Sequence, residues 1–183
     1  FKKGINKKLS FAAFACKSER KLNKIRKRIL SERIRIKEFS SVYLKKSSFS
    51  ICDPDNNQIV FGVPLKRRSK KNRYHAPLQH LTLQSLDLNK IIDFYHKKLG
   101  FAISDRVINN NGVITTCFFR SNKEHHSLAC FKAKNVGIDH HSYEVGKWRL
   151  IRDWCDYISK RGLTLFWGPG RHGPGNNLFV FFE

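Results

Sequence analysis

Residues 78–101 read LQHLTLQSLDLNKIIDFYHKKLGF, and the change of pattern inside this stretch decides the fold. Leu78–Leu83 is strand-like. Asp87 then offers a side-chain cap, and Leu88, Ile91, Ile92, Tyr95 and Leu99 recur at helical spacing until Gly100 stops the helix. Three strand-like segments follow: Phe101–Val107, Val113–Arg120 and Ser127–Lys132. The first two join across Asn109-Asn110-Asn111-Gly112. The unit is β-α-β-β-β.

The same order recurs on both sides. Upstream, the apolar strand Leu9–Ala15 precedes a helix with Leu22, Ile25, Ile29 and Leu30 on one face. Strand-like Ile34–Phe39 and Ser41–Leu44 come next, and the turn Asp53-Pro54-Asp55-Asn56-Asn57 joins Phe49–Cys52 to Gln58–Val63. Downstream, Asp139–Val145 opens a third copy, with a helix carrying Ile151, Trp154, Cys155 and Ile158, a stop near Gly162 and the strand Leu163–Trp167. The intervals agree: His80 to Gly100 is 20 residues, His141 to Gly162 is 21, and the two histidines are 61 apart. Such a period predicts an α+β protein of tandem βαβββ modules. We expect the last module of an N-terminal domain at 1–63, a basic linker at 64–74, and a C-terminal domain at 75–183 with one complete and one truncated module.

At 183 residues, 40% apolar and 27% charged, the chain can bury a true core. No apolar run approaches membrane-spanning length, so no membrane partner is expected. Lysine and arginine exceed acidic residues by 22, and residues 1–73 alone carry 22 basic against 5 acidic side chains. That half would suit a polyanion or simply a solvated basic face. The five cysteines form no CxxC pair, which points away from zinc knuckles and disulfide frameworks and toward a reducing, cytoplasmic setting. The start FKKGINKKLSFAAFAC imitates a leader, but its uncharged run is short and it reads as a folded strand. A chain opening on Phe1, lacking Met and stopping at Glu183 inside an apolar run reads as an internal piece of a longer protein.

Of the eight histidines, His80 and His141 stand at matching positions on the first strands of consecutive modules. If paired modules fold about a pseudo-twofold axis, both imidazoles face one cavity. The chain resembles the extradiol catechol dioxygenases of the vicinal oxygen chelate superfamily, which share the glyoxalase fold. The resemblance rests on residues 78–101, on HHSLACFKAKNVGIDHHSYEV at 125–145 and on GPGRHGPGNNLFVFF at 168–182. A His pair lies 15 residues before a second one, with GPGRH ending 31 residues after His141. This arrangement is similar to that of the ring-cleaving enzymes in particular.

The resemblance implies that His80 and His141 are metal ligands, that His126 is the acid/base histidine, and that His172 hydrogen-bonds near the bound substrate. It implies Fe(II), with Mn(II) as the alternative, and a catechol-type substrate with dioxygen. It further implies a Glu ligand on a strand beyond the chain end, so that residues 1–183 alone would be inactive, and it implies a homo-oligomer. His125 and His140 read as neighbours on alternating strand faces. Phe11 and Val60 stand where a His and a Glu ligand would, so the N-terminal domain would hold no metal. Phe181 replaces the tyrosine common nine residues after the GPGRH histidine, and Phe cannot donate a hydroxyl hydrogen bond. Two histidines and a carboxylate on one metal face suit non-haem Fe(II) oxygenases, and an imidazole near neutrality suits proton transfer. Two other readings stay open: a glyoxalase-like isomerase or lyase, and a non-catalytic basic binding protein, nucleic acid being its candidate partner. The glycines at 168–175 are followed by no Gly-Lys-Ser/Thr, and no serine elbow is present.

Overall fold

The computed structural model describes residues 9–65 and 74–183, so the charged start and most of the basic stretch 64–74 lie outside it. Within these limits the chain divides into two units. One comprises residues 9–65 with Leu81–His140, the other residues 74–80 with His141–Glu183.

In the first unit, β1 (Ala12–Ala15) leads into α1 (Glu19–Ser31). Ser18 caps α1, its hydroxyl accepting from the Lys21 amide at 3.3 Å, which satisfies one orphan donor of the first turn. Leu22 and Ile29 are wholly buried, as their spacing predicts. β2 (Lys37–Glu38), β3 (Phe49–Cys52) and β4 (Gln58–Gly62) complete a sheet ordered β1-β4-β3-β2, with β1 parallel to β4. The expected strands Ile34–Phe39 and Ser41–Leu44 shrink to β2 and a single bridge between Leu44 and Pro64. Arg33 turns the chain at a positive φ of 55°, and Ser41 closes a local turn through its hydroxyl to the Tyr43 amide, so little of the segment is free to pair.

The second module has β5 (Leu78–Ser85), α2 (Leu88–Ile92), β6 (Ala102–Ile108), β7 (Ile114–Arg120) and β8 (Leu128–Lys132). The expected single helix after Asp87 widens at Asp93–Lys98 into a π turn, closed by the Leu99 amide on the Phe94 carbonyl at 2.9 Å. The wider turn swings Phe94 and Tyr95 into the core together. β9 (Gly137–Tyr143) lies beside β5 at the edge of a sheet ordered β6-β7-β8-β5-β9. The β-α-β-β-β order read in the sequence is the observed order of both modules.

Phe49, Ile59 and Leu22 share one core with Leu83, Tyr95 and Phe119. At roughly 1.5–3 kcal/mol for each buried large apolar side chain, this shared layer is the main stabilising term of the unit. Part of the basic surplus also serves structure. Arg28 donates through Nε to the Lys98 carbonyl at 2.8 Å and through Nη2 to that of Lys97 at 2.6 Å, tying α1 to the end of the π turn. Arg26 donates to the Ser47 carbonyl at 2.7 Å while its guanidinium lies over the Phe49 ring.

The other unit contains α3 (Trp148–Ser159), β10 (Leu165–Arg171), a 3-10 turn at Pro174–Asn176 and β11 (Leu178–Phe182). Ile151, Cys155 and Ile158 form the buried stripe of α3. β10 starts later than expected and runs through Gly168-Pro169-Gly170 instead of ending at Trp167. Proline is tolerated there because the register against β11 shifts between Trp167 and Gly170, so Pro169 sits at a bulge where no ladder donor is required.

Candidate active site

His80 and His141 stand on neighbouring strands, β5 and β9. Contacts between these strands bracket both residues. The Glu144 amide donates to the Pro77 carbonyl at 2.9 Å on one side, and Thr82 Oγ1 meets His140 Nε2 at 3.1 Å on the other. As numbers rise along β9 they fall along β5, so the progression is antiparallel. His80 is half-buried and hydrogen-bonds through Nδ1 to the Gln79 side-chain oxygen. A carbonyl partner on Nδ1 selects the tautomer whose Nε2 carries the lone pair, which is how a metal-binding imidazole is commonly oriented. His141 is exposed, its ring edge-on to Tyr143 at 5.4 Å.

His172 closes the β10–β11 hairpin through its amide, which donates to the Asn177 carbonyl at 2.8 Å. Its ring rests on Phe179 at 5.5 Å, and its buried Nδ1 has no hydrogen-bond partner among the described residues. Such a nitrogen costs about 1–3 kcal/mol unless something outside the chain satisfies it. Gly168 makes the hairpin possible. Its φ is +96°, and a Cβ there would stand 2.8 Å from the Phe179 carbonyl oxygen. Phe181, opposite Trp167 in the register, stacks on its indole at 5.5 Å with 20° between the planes.

His126 belongs to the other unit. It is 6% exposed, lies in the loop before β8, and packs edge-on to Phe118 at 4.9 Å. Its Nδ1 is 2.9 Å from His125 Nδ1, so one of the two nitrogens donates to the other. Behind them, His125 Nε2 is 3.9 Å from Asp105 Oδ2. The alternating-face expectation for His125 is therefore corrected. These residues precede β8, where strand alternation does not apply.

The structure thus brings the strands of His80 and His141 together and leaves a buried His172 nitrogen without a partner among the described residues. Among the described residues, no group of three or more His, Cys, Asp or Glu is arranged to hold a metal ion. No described helix is long and apolar enough to cross a membrane. Spacing alone singled out none of Gln79, Thr82, Asp105 and Asp139: Gln79 and Asp139 bond histidines next to them in the chain without forming a motif, and Thr82 and Asp105 meet theirs from distant segments.

Residues 78–183 match the profile of the family described as the Glyoxalase/Bleomycin resistance protein/Dioxygenase superfamily. Over 99% of its length the chain is 26% identical to metapyrocatechase 2 of Cupriavidus necator, of which it spans 62%. Its fold superposes with a TM-score of 0.80 on the 2,3-dioxygenase LapB from Pseudomonas sp. KL28, at 17% identity, covering 94% of this chain and 66% of that one. The Mn(II)-bound glyoxalase from Novosphingobium aromaticivorans gives 0.74 at 22% identity, covering 93% and 57%. At these identities the two solved structures establish the fold alone.

Proposed function

The chain belongs to the Glyoxalase/Bleomycin resistance protein/Dioxygenase superfamily, and from that premise we propose that it is part of an extradiol aromatic-ring dioxygenase. The observation that carries the reading is the placement of His80 and His141 on adjacent antiparallel strands, bracketed by hydrogen bonds on both sides. The similarity to a metapyrocatechase over nearly the whole chain supports it.

In this reading His80 and His141 hold Fe(II), with Mn(II) the alternative that the same donors accept. The donor chemistry fits: two imidazoles on neighbouring strands, one already oriented by Gln79. The carboxylate that completes the set is proposed to lie outside residues 1–183. When bound, the metal supplies simultaneous coordination of both reactants and a path for electrons from ring to oxygen. The chain's own residues do the rest. His126, buried against Phe118 and hydrogen-bonded to His125, is the group proposed to take and return a proton. His172, on the β10–β11 hairpin, is the group proposed to hydrogen-bond near the bound substrate. Trp167, Phe179 and Phe181 present flat aromatic faces to a planar ring. The substrate is a catechol-type molecule, cleaved beside the diol with both atoms of dioxygen retained. A homo-oligomer in a reducing, cytoplasmic setting belongs to the same proposal.

The test loads Fe(II) anaerobically onto the protein expressed with its native flanking sequence, then adds aerated catechols. Oxygen uptake matched by a coloured ring-fission product, and lost in His126→Ala, is the expected result. Tight metal binding with no oxygen uptake across a broad catechol panel would favour the glyoxalase-like isomerase. Absence of metal binding would leave a non-catalytic binding protein.

A further inference from the structure

Four polar side chains form one continuous chain between β5 and β9. Gln84 Nε2 donates to Asp139 Oδ2 at 3.2 Å, Asp139 Oδ1 meets His140 Nδ1 at 2.6 Å, and His140 Nε2 meets Thr82 Oγ1 at 3.1 Å. The donor order follows from the inventory. Asp139 only accepts when ionised, so His140 Nδ1 donates to it. In the neutral ring Nε2 then accepts, and the Thr82 hydroxyl donates. Thr82 is 1% exposed, so without His140 its hydroxyl would lose this buried partner. The His140 ring also covers Phe131, with centroids 6.3 Å apart. Along each strand the chain of bonds ends one or two residues from a proposed ligand: Thr82 follows His80 by two, and His140 immediately precedes His141.

We propose that His140 is a positioning residue, a latch that locks β9 to β5 in register and so sets the spacing of His80 and His141. The inference rests on the metal-site reading above and extends it to residues that touch neither metal nor substrate. An apolar side chain at 140 would take the Thr82 contact away and leave the Gln84–Asp139 bond without the imidazole that braces Asp139. Both ligands would then sample a wider range of separations, and metal binding would carry the cost of ordering them.

The test separates the two claims. Hydrogen exchange of the β9 amides, measured without metal, reads the latch alone. His140→Leu and Thr82→Val are expected to raise their exchange about tenfold or more, with far-ultraviolet circular dichroism unchanged. Co(II), whose visible absorption reports its donor geometry, reads the ligands. Both variants are expected to bind it about 10–100-fold more weakly and with a shifted band. His140→Gln, whose amide still meets the Thr82 hydroxyl, is expected to recover much of the loss. Unchanged β9 exchange in the folded variants would overturn the latch. Faster exchange with wild-type Co(II) affinity and spectrum would overturn its link to the ligands. If His80→Ala bound Co(II) as wild type does, the metal reading would fail and this inference with it, while the exchange data would still report on the strand contact.

Discussion

Tyr95 donates its phenolic hydroxyl to Asp53 Oδ2 at 3.0 Å, joining the π turn of one module to the Asp-Pro-Asp turn of the other. Asp53 is 4% exposed and also accepts from the Asp55 amide and from the amide and side chain of Asn57. The turn is thereby a rigid socket and Tyr95, wholly buried, is its plug. Tyr95→Phe keeps the contacts with Phe94, Phe101 and Phe119 but removes the bond. It is expected to cost about 1–3 kcal/mol, read as a lower urea midpoint at unchanged slope. Tyr95→Ala, which opens a cavity as well, is expected to cost about 3–5 kcal/mol. Equal midpoints for wild type and Tyr95→Phe would remove the bond from the account.

The same carboxyl gives a pH signature. Burial raises the Asp53 pKa above its ordinary value, against the hydrogen bonds from Asn57 and Tyr95 that lower it. The folded state therefore keeps a proton that the unfolded chain releases at about 3.9. Between that value and the raised folded one, folding binds protons, so this group's contribution declines as pH rises and then levels off. Asp53→Asn lacks the effect. The stability of Asp53→Asn relative to wild type should rise through that window and stay flat above it. A difference that falls with pH would mean the hydrogen bonds outweigh burial.

Gly100 and Arg28 should not act independently. Gly100 has a φ of +80°, and a Cβ there would approach Arg28 Nη1 to 2.7 Å. Gly100→Ala is expected to cost about 1–2 kcal/mol, from the left-handed backbone and from displacing the guanidinium that caps Lys97 and Lys98. Arg28→Ala alone is expected to cost about 0.5–1.5 kcal/mol. In the double variant the displacement no longer counts, so the summed cost should fall short of additive by about 0.5 kcal/mol or more. Strict additivity in the cycle would argue against contact between the two sites.

The cysteines are expected to separate by burial. Cys52 is exposed, whereas Cys117 and Cys130 face one another across β7 and β8 and are wholly buried. Burial pushes the Cys117 thiol up to about 11 and that of Cys130 well above its ordinary range, so neither supplies thiolate near neutrality. With an aromatic disulfide reagent at pH 8, Cys52 should react first, and the facing pair only after denaturant is added. Prompt reaction at Cys117 in the native protein would contradict the packing of β7 on β8.

Much of this was legible in the chain because the signals were local. The helix faces of α1 and α3, the stop at Gly100 and the Asp53–Asn57 turn each follow from spacing or from residues that tolerate unusual backbone. The π turn was not legible, since Phe94, Tyr95 and Leu99 keep nearly the same apolar spacing in an α-helix. Nor was the pairing of His125 with His126, because these residues fold as a loop before β8, where strand alternation does not govern side-chain direction. His80 and His141 stood out only through the repeat. Their supporting partners Gln79, Thr82 and Asp139 carry no motif, and the contact of Thr82 with His140 spans 58 positions.

Phe181 offers the sharpest test of the catalytic proposal. It lies opposite Trp167 on β11 and stacks against the indole, where the resembled enzymes commonly carry a tyrosine. Phe181→Tyr adds a hydroxyl to a half-buried ring without altering its stacking surface. If the site cleaves catechols, that hydroxyl restores a hydrogen bond to the reacting oxygen atoms. One such bond, made only in the transition state, is worth about 1.4 kcal/mol, or roughly tenfold in kcat. KM should stay nearly constant, because the bond contributes little to ground-state binding. Phe181→Leu keeps an apolar wall but loses the stack, and it should raise KM without a gain in kcat. A Phe181→Tyr variant that folds normally and turns over no faster would show that this position does not face the reacting atoms, and it would move the reading toward the isomerase chemistry of the same fold.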